Sequence, residues 1–136
     1  MSTRPHGAGS LAPVRPEALT AALAAAGVFA ALHVSADGLL LRSAGDLHRD
    51  TAEAAAAALT AATAAIRGCG AAIGASGSPR PGLNRFCGEF DAVTLLAQPL
   101  ADGSLVALAG DGEADLAAMD FALSDLAAEV RRRTSH

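Results

Sequence analysis

The sequence of 136 residues contains no lysine, so all 10 of its basic side chains other than histidine are arginines. Without lysine, the chain has no residue for Schiff-base chemistry, for a Walker phosphate loop or for a lysine general base. It also lacks tryptophan and tyrosine and has only 2 cysteines, Cys69 and Cys87. No Cys-x-x-Cys pair and no Cys/His spacing of a zinc site is present, so we expect no metal. So few cysteines favour a reducing, cytoplasmic setting, although a disulfide between the two stays open.

The charge balance is acidic, with a net charge of −4 and a pI near 5.4. A phosphate-binding domain shows a basic footprint, and this chain lacks one. Its one basic cluster, residues 131–133, ends a predicted helix, where the helix dipole favours cations. The charge therefore predicts no nucleic-acid partner.

Apolar residues make up 51% of the chain, much of it alanine, and the mean hydropathy is +0.34. A core of Ala, Leu and Val without large aromatics is thin for a free-standing monomer, which is a first indication of oligomerisation. The apolar run 19–34 is shorter than the ~20 residues of a membrane span and contains Gly27 and His33. We therefore expect neither a signal peptide nor a membrane partner.

Two Asp-Gly pairs, Asp37-Gly38 and Asp102-Gly103, each lie between two apolar, strand-like runs. Asp-Gly is a strong hairpin signal because a type I′ turn needs φ > 0 at both central residues. The sequence therefore predicts two hairpins, one near each end of the chain, and not a repeating βαβ unit.

The capping residues, glycines and prolines between the apolar runs predict the element order α-β-β-α-β-β-β-α. Pro16 and Glu17 begin the first helix, which Gly27 ends. Asp50 is the predicted N-cap of the second helix, and a long loop follows that helix. The helices are predicted at 16–26, 50–67 and 113–133, the loop at 68–81, and the strands at 28–35, 39–43, 86–90, 92–100 and 104–109. This pattern predicts one domain at 15–133, a disordered N-terminal tail at 1–14 and a short tail at 134–136.

The element order, together with residues 34–39 (Val-Ser-Ala-Asp-Gly-Leu), 102–109 (Asp-Gly-Ser-Leu-Val-Ala-Leu-Ala) and Asp115-Leu116, resembles the roadblock domain family. That family includes dynein light chains and bacterial partners of Ras-like GTPases, and the resemblance covers roughly residues 19–130. It implies an α+β sandwich in which the middle helix covers one face of a five-stranded antiparallel sheet and the terminal helices cover the other. It also implies non-enzymatic homodimers, formed through the middle helix and the third strand, that bind GTPases, motors or scaffolds. The chain departs from the family in its long loop at 68–84 and in its alanine-rich middle helix.

The middle helix carries no charge from Ala54 to Ile66. A helix that is apolar all round is usually buried all round, so one face is predicted to pack on the sheet, led by Leu59 and Ile66, and the other on a second helix. The alternative is that alanine is present only as the best helix former. Together with the implied third-strand contact, the candidate dimer-interface residues are Ala54, Ala57, Ala58, Ala61, Ala65, Phe86 and Gly88.

The last helix has an apolar stripe at helical spacing that predicts its core-facing side. Its members are Leu116, Met119, Leu123, Leu126 and Val130. Phe121 lies off this stripe, on a side shared with Ser124, Asp125 and Ala128, and is the candidate partner-binding residue. The alternative is that Phe121 covers the edge of the core or meets the first helix.

No residue pattern predicts catalysis or a cofactor. His33 alternates with apolar neighbours in a strand, which favours a structural histidine. The segment 68–74 lacks the third glycine of a dinucleotide loop and follows a helix. Asp111, Glu113 and Asp115 are explained by the dipole of the last helix, and their spacing matches no calcium loop.

The leading hypothesis is a cytoplasmic, homodimeric, non-enzymatic module that binds a small Ras-like GTPase. The alternative is a small-molecule-sensing α/β module of the PAS, GAF or profilin type, or a scaffold without a GTPase partner. A neighbouring gene for a Ras-like GTPase favours the first hypothesis.

Overall fold

The two Asp-Gly hairpins lie in one antiparallel sheet of five strands, ordered β2-β1-β5-β4-β3. A computed structural model describes residues 13–74 and 82–134 of the chain. The element order is α-β-β-α-β-β-β-α, as predicted from the sequence. The elements are α1 (Pro16–Ala22), β1 (Val28–Val34), β2 (Leu40–Gly45), α2 (Arg49–Ala72), β3 (Phe86–Glu89), β4 (Thr94–Pro99), β5 (Leu105–Gly110) and α3 (Leu116–Thr134).

The sheet separates two apolar layers, because alternate residues of the central strands β1 and β5 face opposite sides. On one side, α1 and α3 pack over Ala31, Val106 and Leu108. On the other side, α2 packs over Leu32 and Ala107. The predicted sandwich, with the middle helix on one face and the terminal helices on the other, is confirmed.

The hairpin turns differ from the predicted type I′ geometry. The N–H of Gly38 donates to the carbonyl of Ser35 over 3.0 Å, and the N–H of Gly103 donates in the same way to Leu100 over 3.0 Å. Each Asp-Gly pair therefore occupies the third and fourth turn positions, in a three-residue loop whose glycine has φ of +86° or +93°. A glycine at positive φ closes such a loop and matches the strand twist, so the two-residue turn is not needed.

Helix α2 begins earlier and ends later than predicted. Its N-cap is His48 and not Asp50, which lies in the first turn, where its charge suits the helix dipole. Gly68 and Gly70 lie inside the helix, because a glycine costs only about 1 kcal/mol and the preceding turns are rich in alanine. The predicted loop is therefore wrong for 68–72, while 75–81 lies outside the described residues.

The N-terminal boundary also differs. The predicted disordered tail 1–14 falls outside the described residues up to position 12, but Val14 is fully buried in the layer under α1 and α3. Helix α1 ends at Ala22, four residues earlier than predicted, and a series of turns leads to Gly27. Residues 135–136 are outside the described part of the chain.

Candidate functional site

The outer face of α2 is exposed and apolar. Ala52, Ala56, Leu59 and Thr63 form the buried side of the helix, whereas Ile66, predicted to lead that side with Leu59, is only half-buried. The five alanines predicted to meet a second helix are all exposed, on the side opposite the sheet: Ala54, Ala57, Ala58, Ala61 and Ala65. No charged side chain interrupts this face, which we call the α2 outer face.

The edge strand β3 extends the layer under α2. Phe86 packs half-buried against the cluster that contains Leu59 and Leu32, so the edge strand and the helix share one apolar layer. Gly88 is also half-buried, and Cys87 between them is exposed. Within the described residues β3 pairs with β4 alone, and its second edge carries backbone groups without strand partners. Such an edge is a template for pairing with another strand.

Phe121 lies on the opposite side of the molecule, on α3. Phe121 is 71% exposed, which fits its place off the core stripe, so it does not cover the edge of the core. The predicted core stripe is confirmed at Met119, Leu123, Leu126 and Val130, but Leu116, the first residue of the helix, is 47% exposed. Beside Phe121 lies a groove of about 710 Å³ between α1 and α3.

The groove floor is made of small side chains from both helices. Its alanines include Ala18, Ala21 and Ala25 from α1 and the segment after it, and Ala118, Ala122 and Ala128 from α3. The charged residues that line the groove are Arg15, Glu17, Asp125, Glu129 and Arg132. We call this surface, together with Phe121, the α1–α3 groove.

Arg85, the residue before β3, connects this edge strand to α3, and the sequence did not predict this role. Its guanidinium is ion-paired with Asp120 and donates to Gln98 Oε1 over 2.7 Å and to Ser124 Oγ over 3.0 Å. The side chain is 28% exposed. Its partners lie 13 to 39 residues away, so no local sequence pattern indicates them. Arg85 fixes the residue before the edge strand to the neighbouring helix.

His33 is a structural histidine in this fold. The ring is 2% exposed, and its Nδ1 accepts the N–H of Val14 over 3.1 Å. The neutral ring therefore carries its proton on Nε2, which lies 3.4 Å from Ser104 Oγ. The Ser104 hydroxyl donates in turn to Asp102 Oδ1 over 2.6 Å. Burial lowers the pKa of His33 from its usual value of 6.5, although Asp102 acts in the opposite direction.

This chain of bonds has the wrong polarity for nucleophilic catalysis. A general base needs an unprotonated ring nitrogen facing the serine, whereas here the protonated Nε2 of His33 faces Ser104. Both His33 and Ser104 are also buried, so no substrate reaches them. The arrangement holds the start of α1 and the β4–β5 turn on the central strand.

The other sequence candidates have local structural roles. Asp111 accepts the N–H of Glu113 over 2.8 Å and Asp115 accepts that of Ala117 over 3.3 Å, so two of the three acids stabilise the turn before α3. Among residues 13–74 and 82–134, no group of three His, Cys, Asp or Glu side chains is placed to hold a metal ion. Cys69 and Cys87 are both exposed free thiols.

By length and composition, α2 meets the requirements for a membrane-crossing helix. A single helix of this kind is weak evidence for a span, and one side of α2 packs on β1 and β2.

No family model matches the sequence, and no curated protein matches it. Solved structures do match, with this order of helices and strands. The roadblock/LC7 domain from Streptomyces avermitilis superposes with a TM-score of 0.81 at 21% identity, over 91% of this chain and 100% of that one. The chain has the roadblock fold.

Two MglB structures are similar. MglB from Myxococcus xanthus has a TM-score of 0.73 at 15% identity and covers 86% of this chain and 94% of that one. An MglB with a tetrameric arrangement has a TM-score of 0.70 at 18% identity, with coverage of 86% and 88%. The α2 outer face lies on one side of the sheet and the α1–α3 groove lies on the other, and β3 forms one edge of the sheet between them.

Proposed function

We propose that this chain is a non-enzymatic, homodimeric roadblock-type module that binds or regulates a small Ras-like GTPase in a bacterial cytoplasmic signalling or polarity complex. The observation that carries the proposal is the roadblock fold in combination with an exposed, charge-free helix face. The sequence resemblance to bacterial partners of Ras-like GTPases supplies the partner class.

The homodimer is proposed to form through the α2 outer face and the β3 edge. The candidate contacts are the exposed alanines Ala54, Ala57, Ala58, Ala61 and Ala65, with Phe86 and Gly88 on β3. Alanines let two helices approach closely, and an open strand edge gains backbone hydrogen bonds when it pairs. A second copy offers both features in the same relative position, which a two-fold interface requires. One MglB of this fold has a tetrameric arrangement, so proteins of this fold do self-associate.

The absence of turnover is proposed from the direction of the hydrogen bonds around His33. The His33 ring, the Ser104 hydroxyl and the Asp102 carboxylate are aligned as in a proton relay. His33 and Ser104 are buried, however, and all three groups are engaged in structural hydrogen bonds. The module is therefore proposed to act by shape and contact. Phe121 stands as the candidate partner contact on the opposite face, since an exposed aromatic ring is a common anchor of protein interfaces.

Titration calorimetry with purified Ras-like GTPases encoded in the same genome tests the GTPase assignment. Each GTPase is loaded with GDP or with a non-hydrolysable GTP analogue. We expect one nucleotide state to bind more tightly, with little dependence on salt because no large charged patch steers the encounter. GTPase binding by Ala57→Arg, an α2 variant that breaks the proposed dimer, is compared with GTPase binding by Ala101→Arg, which adds the same charge on an exposed turn. A chain that binds none of these GTPases in either state contradicts the assignment and leaves a scaffold without a GTPase.

A further inference from the structure

Phe90, the residue after β3, is 65% exposed. Its ring lies over Gly88, because a Cβ built on Gly88 would meet Phe90 Cε2 at 3.5 Å and Cζ at 3.7 Å. Gly88 is two residues from Phe86, so both belong to the same face of the strand, and Phe86 packs in the apolar layer under α2. The ring of Phe90 therefore extends that apolar layer onto the free edge of the sheet.

The two edges of the sheet differ in how they are covered. Helices α1 and α2 both pack on β2, the edge strand on one side. Among residues 13–74 and 82–134, β4 is the only element that packs extensively on β3, the edge strand on the other side. An open edge strand pairs with another strand unless charge or proline protects it. β3 contains no proline, and Glu89 is its only charged residue, so β3 is the edge open to pairing.

The hydrogen bonds of β3 determine which of its residues face a second strand. The N–H of Phe90 donates to the carbonyl of Val93 over 2.8 Å, so the backbone groups of Phe90 point toward the β4 side. Hydrogen-bonded residues alternate along an antiparallel strand, so Gly88 faces β4 as well, whereas Cys87 and Glu89 face the free edge. In an antiparallel pairing of two copies, residues that face the edge must lie opposite each other.

Two two-fold registers of this kind pair most of β3 with a second copy. In one, Gly88 lies opposite Gly88 of the second copy, and Phe90 lies opposite Phe86 of the second copy. In the other, Cys87 lies opposite Cys87 of the second copy, and Phe86 of the second copy lies opposite Gly88, under the edge of the Phe90 ring. In both registers the ring of Phe90 therefore meets Phe86 of the second copy, on the α2 side of the joined sheet.

We propose that Phe90 is the anchor by which the β3 edge recognises a second copy of this chain, with each Phe90 ring packed against Phe86 of the other copy. The inference rests on the proposed function, since it names the residue that makes the proposed β3 contact specific. Aromatic rings in such pairs pack edge to face or offset and bury on the order of 150–250 Å² each. A foreign strand without this ring gains the backbone hydrogen bonds but not the aromatic contact, so Phe90 favours a second copy.

Sedimentation equilibrium of Phe90→Ser tests the proposal. The matched control is Leu39→Ser, because Leu39 is also 65% exposed but lies in the β1–β2 turn, at the opposite edge of the sheet. We expect Phe90→Ser to weaken dimerisation by about tenfold or more and Leu39→Ser to leave it unchanged. Far-UV circular dichroism and thermal unfolding confirm that both variants fold.

The outcomes separate this contact from the dimer itself. A wild-type chain that dimerises equally well with and without Phe90→Ser overturns the anchor and leaves the proposed homodimer intact, as does equal weakening by Phe90→Ser and Leu39→Ser. A wild-type chain that stays monomeric overturns both. If Phe90→Ser leaves the dimer intact and abolishes GTPase binding, the partner at the β3 edge is the GTPase and the proposal is overturned.

A single tryptophan tests the contact directly, because the chain contains no tryptophan or tyrosine. We expect the emission maximum of Phe90→Trp to move to shorter wavelength as the protein concentration rises through the dimerisation range, because the ring leaves water. The emission of Leu39→Trp is expected to stay unchanged over the same range. If the emission of Phe90→Trp in the dimer remains that of an exposed indole, the proposal is overturned, whether or not Phe90→Ser folds.

Discussion

The backbone N–H of Val14 donates a hydrogen bond to Nδ1 of His33 over 3.1 Å, which joins the residues before α1 to the central strand β1. Val14 is fully buried, so this bond holds the described residues before α1 in a position where the Val14 side chain joins Leu19 of α1 in the layer under α3. The bond needs a ring nitrogen with a free lone pair, and protonation of His33 removes it.

We therefore expect acid to destabilise the protein through His33. Burial lowers its pKa in the folded state from 6.5, so the unfolded chain binds the proton more tightly. The contribution is fully present above pH 6.5, is lost progressively as the pH falls through 6.5, and levels off below the folded-state pKa. Urea unfolding between pH 8 and pH 5 measures the slope, with the pH values chosen on either side of about 6.5.

The control for this titration is the exposed His48. His33→Gln flattens the dependence of the unfolding free energy on pH near 6.5, and His48→Gln retains it. Identical pH dependence in wild type and His33→Gln would show that other groups account for the acid sensitivity.

The β4–β5 turn depends on glycine at position 103. Its φ is +93°, and a Cβ added there would lie 3.0 Å from the Cβ of Ala36 in the other Asp-Gly turn. Gly103→Ala is expected to cost about 1–2 kcal/mol from the left-handed backbone alone. Gly112→Ala, where an added Cβ meets nothing within 4 Å, is the matched control and costs less. Chemical denaturation of the two variants gives the comparison; equal costs would mean that the turn is not strained by a side chain.

Arg85 is expected to contribute more to stability than an ordinary surface arginine. Arg85→Ala leaves Asp120, Gln98 and Ser124 without their shared donor, and we expect a loss of about 1–3 kcal/mol. Arg49→Ala removes an exposed i,i+4 pair with Glu53 and is expected to cost about 0.3–0.5 kcal/mol. Urea unfolding compares the free energies of unfolding of the two variants, from their midpoints at an unchanged denaturant slope. A loss for Arg85→Ala that is no larger than the loss for Arg49→Ala contradicts the role of Arg85 as an anchor.

The α2 outer face supplies a direct test of assembly. Ala57→Arg or Ala61→Arg places a charge in the proposed helix–helix contact, so we expect monomers or insoluble protein. Ala101→Arg adds the same side chain on an exposed turn and leaves assembly unchanged. Sedimentation equilibrium measures the mass; a wild-type chain that sediments as a monomer at micromolar concentration contradicts the proposed dimer.

Much of the fold follows from local sequence signals. The two hairpins, the element order and the position of Phe121 off the core stripe follow from periodicity within one element or from adjacent residues, which a single sequence displays. Helix ends are harder to predict because neighbouring N-cap positions differ little in free energy. The N-cap of α2 is His48, where the sequence predicted Asp50.

The long-range polar contacts were not predictable for a physical reason. The partners of Arg85 and the bonds from His33 to Val14 and Ser104 join residues that only the folded sheet brings together. The face to which His33 belongs follows from alternation, but its hydrogen-bond partners do not.

The central claim, a homodimer built on α2 and β3, is tested most directly by crosslinking through Cys87. In a two-fold antiparallel pairing of the four-residue strand β3, Cys87 of one copy lies opposite Cys87 or Glu89 of the other. Cys87 is exposed and free, and Cys69→Ser leaves it as the single thiol. A short bis-maleimide is predicted to give a covalent dimer of Cys69→Ser at low protein concentration and none with Ala57→Arg/Ala61→Arg added. A Cys69→Ser chain whose Cys87 reacts with a monofunctional maleimide but gives no covalent dimer would contradict the account.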